Sequence, residues 1–223
     1  VAATFAPAVA HAEEDRPSND GKRVAPEKAW ELQLGSGFSQ GFGNAASQTR
    51  KLSELTRGGM SIQPSFGYRL NPRLYVGVYG EGARYFAGGD MPDGTVGYGA
   101  AFGAQAQWHL SPFSQIDPWI GLGSGWRGYW VDLPDTGHES LHGFDIMRLR
   151  VGVDYKLGPS TSIGPMLGTT LTLFESHRAA DDSSRRVETK DPELCAFLFA
   201  GVQGRFEIGG RRVEESRAAI ARR

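Results

Sequence analysis

Hydrophobic and polar positions alternate along most of this chain. From Trp30, the residues Trp30, Leu32, Leu34 and Phe38 point one way while Glu31, Gln33, Gly35, Gly37 and Ser39 point the other. A period of two predicts a β-strand. The same pattern predicts strands at Met60–Leu70, Leu74–Phe86, Thr95–Leu110, Ile116–Val131, Gly143–Leu157, Ser162–Phe174 and Leu194–Ile208. The fourth, TVGYGAAFGAQAQWHL, sets Val96, Tyr98, Phe102 and Trp108 against Gly97, Gly99, Gly103, Gln105, Gln107 and His109. It is far longer than the usual strand of about 5–6 residues.

The connections alternate in character. Asn71-Pro72, Ser111–Gln115 and Gly158–Thr161 are short, whereas Gln40–Gly59 and Glu175–Glu193 are long and polar. Ala87–Gly94 and Asp132–His142 are intermediate and fall on the same end as the long ones. Eight strands joined in sequence order, with long loops at one end only, predict an all-β, eight-stranded antiparallel up-and-down barrel. The one helical expectation is a single turn within Arg50–Arg57.

Such a barrel is dry either inside, around a ligand, or outside, against lipid. The polar face carries Glu31, Arg69, Glu81, Arg127, Arg148, Arg150, Asp154, Lys156, Arg205 and Glu207, a mixed-sign set able to pair within a lumen. The same face carries most of the strand glycines, Gly35, Gly77, Gly121, Gly123 and Gly152 among them. Water gives no reason for that crowding. A narrow lumen does, because small residues must face Tyr75, Tyr79, Trp119 and the arginines in an interior only wide enough for side chains to fill. The apolar face therefore points outward and the barrel is transmembrane. Its aromatics agree with this reading. Tyr98 and Trp108 lie ten residues apart on one face, about 25 Å along a tilted strand, which is the height of a lipid-facing band between two aromatic girdles. Trp30, Tyr68, Trp126, Trp130, Tyr155 and Phe206 are the other girdle candidates.

Composition narrows the partners. The 24 basic and 25 acidic residues give a net charge of -1, with no electrostatic basis for binding nucleic acid. Mean hydropathy is -0.36 and no apolar run approaches the length of a membrane helix, which leaves membrane strands open. The single cysteine, Cys195, forms neither an internal disulfide nor a cysteine-based metal site. Residues 1–12, ending Ala10-His11-Ala12, are expected to be the remnant of a signal peptide. Residues 13–28 read as a periplasmic linker, 29–208 as the barrel, and 209–223 as a periplasmic tail forming a short amphipathic helix or no regular structure.

From Ala29 to about Ile208 the chain resembles the small eight-stranded outer-membrane barrels of Gram-negative bacteria, of the OmpA transmembrane, OmpX and OmpW type. The terminal strand FLFAGVQGRFEI, with Phe206 near its end, is similar to the strand such proteins present to the barrel-assembly machinery. That family usually stops at the aromatic residue, whereas here the chain runs on to Arg223. The resemblance implies a monomer in the outer membrane, in contact with membrane lipid and lipopolysaccharide, with no cofactor.

Lipid A deacylases of this architecture use a His-x-Ser pair, a spacing found at His109-Leu110-Ser111. With the amino terminus in the periplasm, that pair falls at the periplasmic turn, far from the outer leaflet where such chemistry belongs. His138, Glu139, Ser140, His142 and Ser176-His177 lie toward the outer loops without a recognisable arrangement of nucleophile, base and orienting group. GLGSG has no helix after it to hold a phosphate. No catalytic, cofactor or metal site is expected. The expected function is that of a structural or surface-interaction barrel whose lumen is closed by ion pairs and whose outer loops meet an unknown partner. The alternative is a narrow, porin-like channel or hydrophobic-solute conduit, and a lipid-modifying enzyme is a more distant one.

Overall fold

A computed structural model of the chain describes residues 24–46, 50–89, 91–92, 94–134, 137–178, 187–188 and 194–214. The expected signal remnant, the start of the linker, the end of the tail and much of the last long loop lie outside these residues. Eight strands form the wall: β1 (Ala29–Phe42), β2 (Thr56–Asn71), β3 (Leu74–Ala87), β4 (Val96–His109), β5 (Ile116–Leu133), β6 (Gly137–Lys156), β7 (Thr161–Arg178) and β8 (Leu194–Ile208). Each pairs antiparallel with the next, and β8 pairs with β1 from Ala196↔Phe42 to Ile208↔Trp30, so the sheet closes. The short turns gather at one end and the longer connections at the other. The expected helical turn is Leu52–Leu55.

The pleat sorts the side chains as the alternation requires. Leu34, Ile62, Val78, Phe102, Leu122, Val151, Leu167 and Val202, one from each strand, are all exposed on the outside, Phe102 at 61%. Tyr75, Tyr79, Trp119, Phe199 and the paired arginines are buried inside. Sorting the apolar surface outward leaves a continuous greasy belt, which water would not tolerate and lipid does.

Three features depart from simple alternation. The β5–β6 hairpin runs on to Leu133↔Gly137, so most of the segment expected as an intermediate loop is strand. In β6 a bulge lies between Arg148, opposite Gly123, and Asp145, opposite Gly125. One extra residue on β6 leaves both Ile146 (52% exposed) and Met147 (39%) facing out and reverses the parity of everything beyond it.

The third departure corrects the reading of the linker and the tail. Val24–Glu27 pairs antiparallel with Arg211–Glu214, so the two segments meet as a two-stranded clasp instead of a free linker and a helical or unstructured tail. It continues the β8–β1 seam beyond the barrel. At the joint Lys28 (φ 55°), Gly209 (φ 68°) and Gly210 (φ 75°) are all left-handed, which turns the ribbon out of line with the wall. A Cβ on Gly210 would lie 2.6 Å from the Cβ of Ala29, so glycine is required there by space as well as by φ.

Candidate functional site: the filled lumen

Inward residues of all eight strands build the interior in three tiers. The middle tier is centred on Glu81 of β3. Its carboxylate receives Arg127 Nη1 at 3.2 Å, Arg148 Nη1 at 2.9 Å and Arg150 Nη2 at 3.4 Å. Arg127 also grips Asp145 with two bonds, Nε–Oδ1 at 2.8 Å and Nη2–Oδ2 at 3.1 Å. Thr172 Oγ1 donates to the same Oδ1 at 2.7 Å, and Arg148 Nη2 donates to Gln63 Oε1 at 2.9 Å. Three arginines thus share two carboxylates. Aromatic rings cover the guanidinium groups, with Arg148 4.0 Å from the Tyr79 centroid, Arg127 4.4 Å from Phe197 and Arg150 5.0 Å from Phe199. These contacts replace part of the lost hydration. Glycine makes the space: a Cβ on Gly168 would lie 2.1 Å from Arg150 Nη1.

The lower tier, at the short-turn end, is centred on Glu31 of β1. Arg69 donates to Glu31 Oε2 from Nε (2.9 Å) and Nη2 (2.6 Å), and Arg205 Nε lies 3.0 Å from Oε1. Arg205 Nη1 reaches Asp154 Oδ2 at 2.9 Å and His109 Nε2 at 2.7 Å, and its Nη2 donates to Gln107 Oε1 at 3.0 Å. Gln33 and Gln107 exchange two amide bonds across the bore, at 3.1 and 2.9 Å. Trp119 donates to Asp154 Oδ1 at 3.1 Å, and its ring fits only because position 152 is glycine, where a Cβ would lie 2.5 Å from Cζ2. Lys156 donates to the Pro112 carbonyl, and Glu207 pairs with Arg212 at 2.6 Å and lies 3.9 Å from Arg69. Below them a cavity of about 590 Å³ lies between the network and the clasp, with Val24, Pro26 and Arg212 on the clasp side and Arg69, Asp117, Asp154 and Arg205 on the lumen side.

The upper tier is apolar. Tyr85, Tyr129, Val131, Leu141, Phe174, Cys195 and Phe197 pack together, and Leu52 of the short helix folds into them. Leu52 N donates to Gly43 O at 2.8 Å, which pins the loop over the mouth. The buried hydroxyl of Tyr129 bonds Thr56, and Cys195 Sγ donates to Asn44 O at 3.1 Å.

The ten charged residues read from sequence as a lumen set lie in the lower and middle tiers. Seven of them, Glu31, Arg69, Glu81, Arg127, Arg148, Arg150 and Arg205, are linked to one another in two clusters, with Asp154 joined through Arg205 and with Lys156 and Glu207 at the lower rim. Alternation alone missed Asp145, because strict parity from Arg148 places it on the lipid face and only the bulge turns it inward. Alternation put Gln33, Gln63 and Gln107 on the inward face but, uncharged, they were left out of the set, as was Asp117.

His109, expected as a turn residue at the lower rim, is instead a fully buried lumen residue. Its Nδ1 lies 2.8 Å from Asp117 Oδ2 and its Nε2 against Arg205, so both ring nitrogens are engaged away from Ser111. His138 pairs with Asp132 at 2.6 Å outside, Glu139 is buried inside, and His142 stacks on Trp126 on the outer face at 5.6 Å. His138 and His142 thus lie outside the barrel and Glu139 within it. Among the described residues no three His, Cys, Asp or Glu side chains are placed to hold a metal ion.

The aromatic candidates lie on the outer face in two bands. Trp30, Tyr68, Trp108, Tyr155 and Phe206 ring the short-turn end; Trp30 stacks on Phe66 at 5.1 Å and meets Tyr68 edge-on at 5.0 Å. Tyr98, Trp126 and Trp130 lie toward the long-loop end, where Tyr98 stands directly opposite Trp130.

No family model matches the chain, and no curated protein matches it in sequence. In structure it is similar to the Neisserial surface protein A, with a TM-score of 0.51 and 17% identity over 79% of this chain and 96% of that one. It is also similar to the outer membrane protein OprG of Pseudomonas aeruginosa, with a TM-score of 0.47 and 13% identity over 81% and 98%. At 17% identity the likeness to Neisserial surface protein A is one of fold, and it agrees with the closed eight-stranded wall. The chain has the fold of a small, closed eight-stranded β-barrel, the fold in which Neisserial surface protein A is built.

Proposed function

We propose that this protein is a closed barrel of the Gram-negative outer membrane, which uses its long-loop end as an interaction surface and does not serve as a pore. The short turns and the clasp then face the periplasm, following the usual asymmetry of such barrels. The observation that carries the reading is the packing of the lumen in series. A solute would have to displace the Leu52 plug, then the Glu81 cluster, then the Glu31 cluster. Each ionic cluster is desolvated and multiply bonded, so opening it exposes unpaired buried charge.

Planar-bilayer recording of the purified full-length protein tests this. A flat trace is expected at moderate voltage. A steady unitary conductance that bulky substitution at Gly123 abolishes would overturn the closed barrel in favour of a narrow channel. Insertion through the assembly machinery is part of the same proposal, with β8 as the recognised strand although Phe206 is not terminal.

A further inference from the structure

The middle tier is out of charge balance. Arg127, Arg148 and Arg150 face two carboxylates, Glu81 and Asp145, and the share left for Arg150 is the poorest. Its Nη2 reaches Glu81 Oε2 at 3.4 Å, an oxygen that already takes Arg148 at 2.9 Å. Asp145 offers nothing more, since its two oxygens take Arg127 and one of them takes Thr172 as well. Arg150 is 4% exposed, and its Nε and Nη1 have no hydrogen-bond partner among the described residues, as is true of Arg148 Nε. The wall explains the shortfall. Gly121 stands opposite Arg150 on β5, Gly168 opposite it on β7 and Gly152 two residues along β6, so no neighbour on the wall brings an acceptor side chain. All eight wall strands are described through this level, with the Glu31 cluster on one side and the apolar plug on the other.

We infer that the bore holds a small inorganic anion of the halide class, such as chloride, bound at the unpaired edge of Arg150 and sealed in as the barrel closes. The inference rests on the closed barrel proposed above, because retention of the ion requires both ends to be shut. A guanidinium keeps its proton in proteins, and a buried charge without a counter-charge is strongly disfavoured. Water can accept the spare N–H bonds but leaves the charge uncompensated, whereas an anion supplies acceptor and charge together. The anion is small because the surroundings are filled. Trp119, Met166 and Phe199 pack as one buried cluster, with the Phe199 ring 5.0 Å from the Arg150 guanidinium. A monatomic ion accepts N–H groups from any direction, so it needs no shaped pocket.

Bromide serves as the probe. The full-length protein is refolded into neutral detergent micelles in bromide or, at equal ionic strength, in gluconate, and is then passed into gluconate by gel filtration. Bromide is counted per chain by elemental analysis. Wild type refolded in bromide should keep it in stoichiometric amount, and Arg150→Met should keep none. Both should run on a gel as a folded barrel, faster than the boiled chain. The fast-migrating form of wild type should survive to a higher temperature after refolding in bromide than after refolding in gluconate, because a ligand of the folded state stabilises it. That difference should vanish in Arg150→Met, which in gluconate should match or exceed wild type, an outcome that loss of a merely structural ion pair would not give. Anomalous scattering from a crystal grown in bromide should place a peak beside Nε and Nη1 of Arg150, which tests the site without any variant. Equal bromide in wild type and Arg150→Met, or neither retention nor a peak, would overturn the anion site and leave the closed barrel standing. A peak at Arg150 without retention would support the site and overturn the closed barrel instead.

Discussion

The two ends of the bore are closed by opposite chemistry. At the long-loop end the plug is apolar and one of its members, Leu52, comes from a loop. At the short-turn end the closure is ionic, drawn from strand residues around Glu31, with a cavity and a clasp beyond it. Apolar packing asks only for volume, so it suits an end whose loop is free to change. Ionic packing asks for fixed partners at fixed distances, so it suits positions held by the register of β1, β2 and β8. The difference predicts that damage to the ionic tiers is felt by the whole barrel, while damage to the apolar plug or to the clasp is felt locally.

The largest effect is expected from Glu81→Ala. It leaves Arg127, Arg148 and Arg150 buried with Asp145 as the one remaining carboxylate of that cluster, and losing one partner of a buried ionic group costs about 3–5 kcal/mol. The urea midpoint for unfolding from vesicles should fall accordingly. A midpoint within error of wild type would mean that the cluster is wet and its charges screened. Leu52→Ala comes next, at about 2 kcal/mol for a buried leucine whose site can partly collapse. It should also leave the bilayer trace flat, because both ionic tiers below remain. Conductance in Leu52→Ala would show that the apolar end alone seals the barrel.

Much of this comparison was legible in the sequence. Period-two alternation located every wall strand, and the glycines and charges sharing one face pointed that face inward. Alternation assumes an unbroken register, however, so the β6 bulge hid Asp145, the main partner of Arg127. Alternation put Gln33 and Gln107 on the inward face, but an uncharged amide carries no mark of the partners it bonds there. The clasp was hidden for another reason. Its strands are four residues each and lie at opposite ends of the chain, and only closure of β8 on β1 brings Glu27 to Arg211. The Leu52 plug was invisible as such, because a single leucine in a polar loop has no period.

The clasp offers the next test. Gly210→Ala puts a Cβ into Ala29 at a left-handed position, a strain of about 1–2 kcal/mol that should fall on the clasp and spare the barrel. The clasp should therefore open about tenfold more often, and trypsin should cut after Arg211 or Arg212 correspondingly faster. The urea midpoint of the barrel should not move. If cutting stays slow while the midpoint falls, the clasp and the wall are a single cooperative unit and the two ends are not independent.

Salt should give the smallest effect. The clasp is held partly by Arg211–Glu27 at 2.9 Å and Arg212–Glu207 at 2.6 Å, pairs whose arginines are 65% and 30% exposed. The Glu31 and Glu81 clusters are buried. Raising the salt from about 0.1 M to about 1 M shortens the screening length from about 10 Å to about 3 Å, which weakens exposed pairs and barely reaches buried ones. Tryptic cleavage of the clasp should rise by a factor of about two, within the small worth of surface ion pairs, while the unfolding temperature of the barrel holds steady. A fall in that temperature comparable to the rise in cleavage would mean that ions enter the lower cavity and reach Arg205, and that the short-turn end is open to solution where the long-loop end is not.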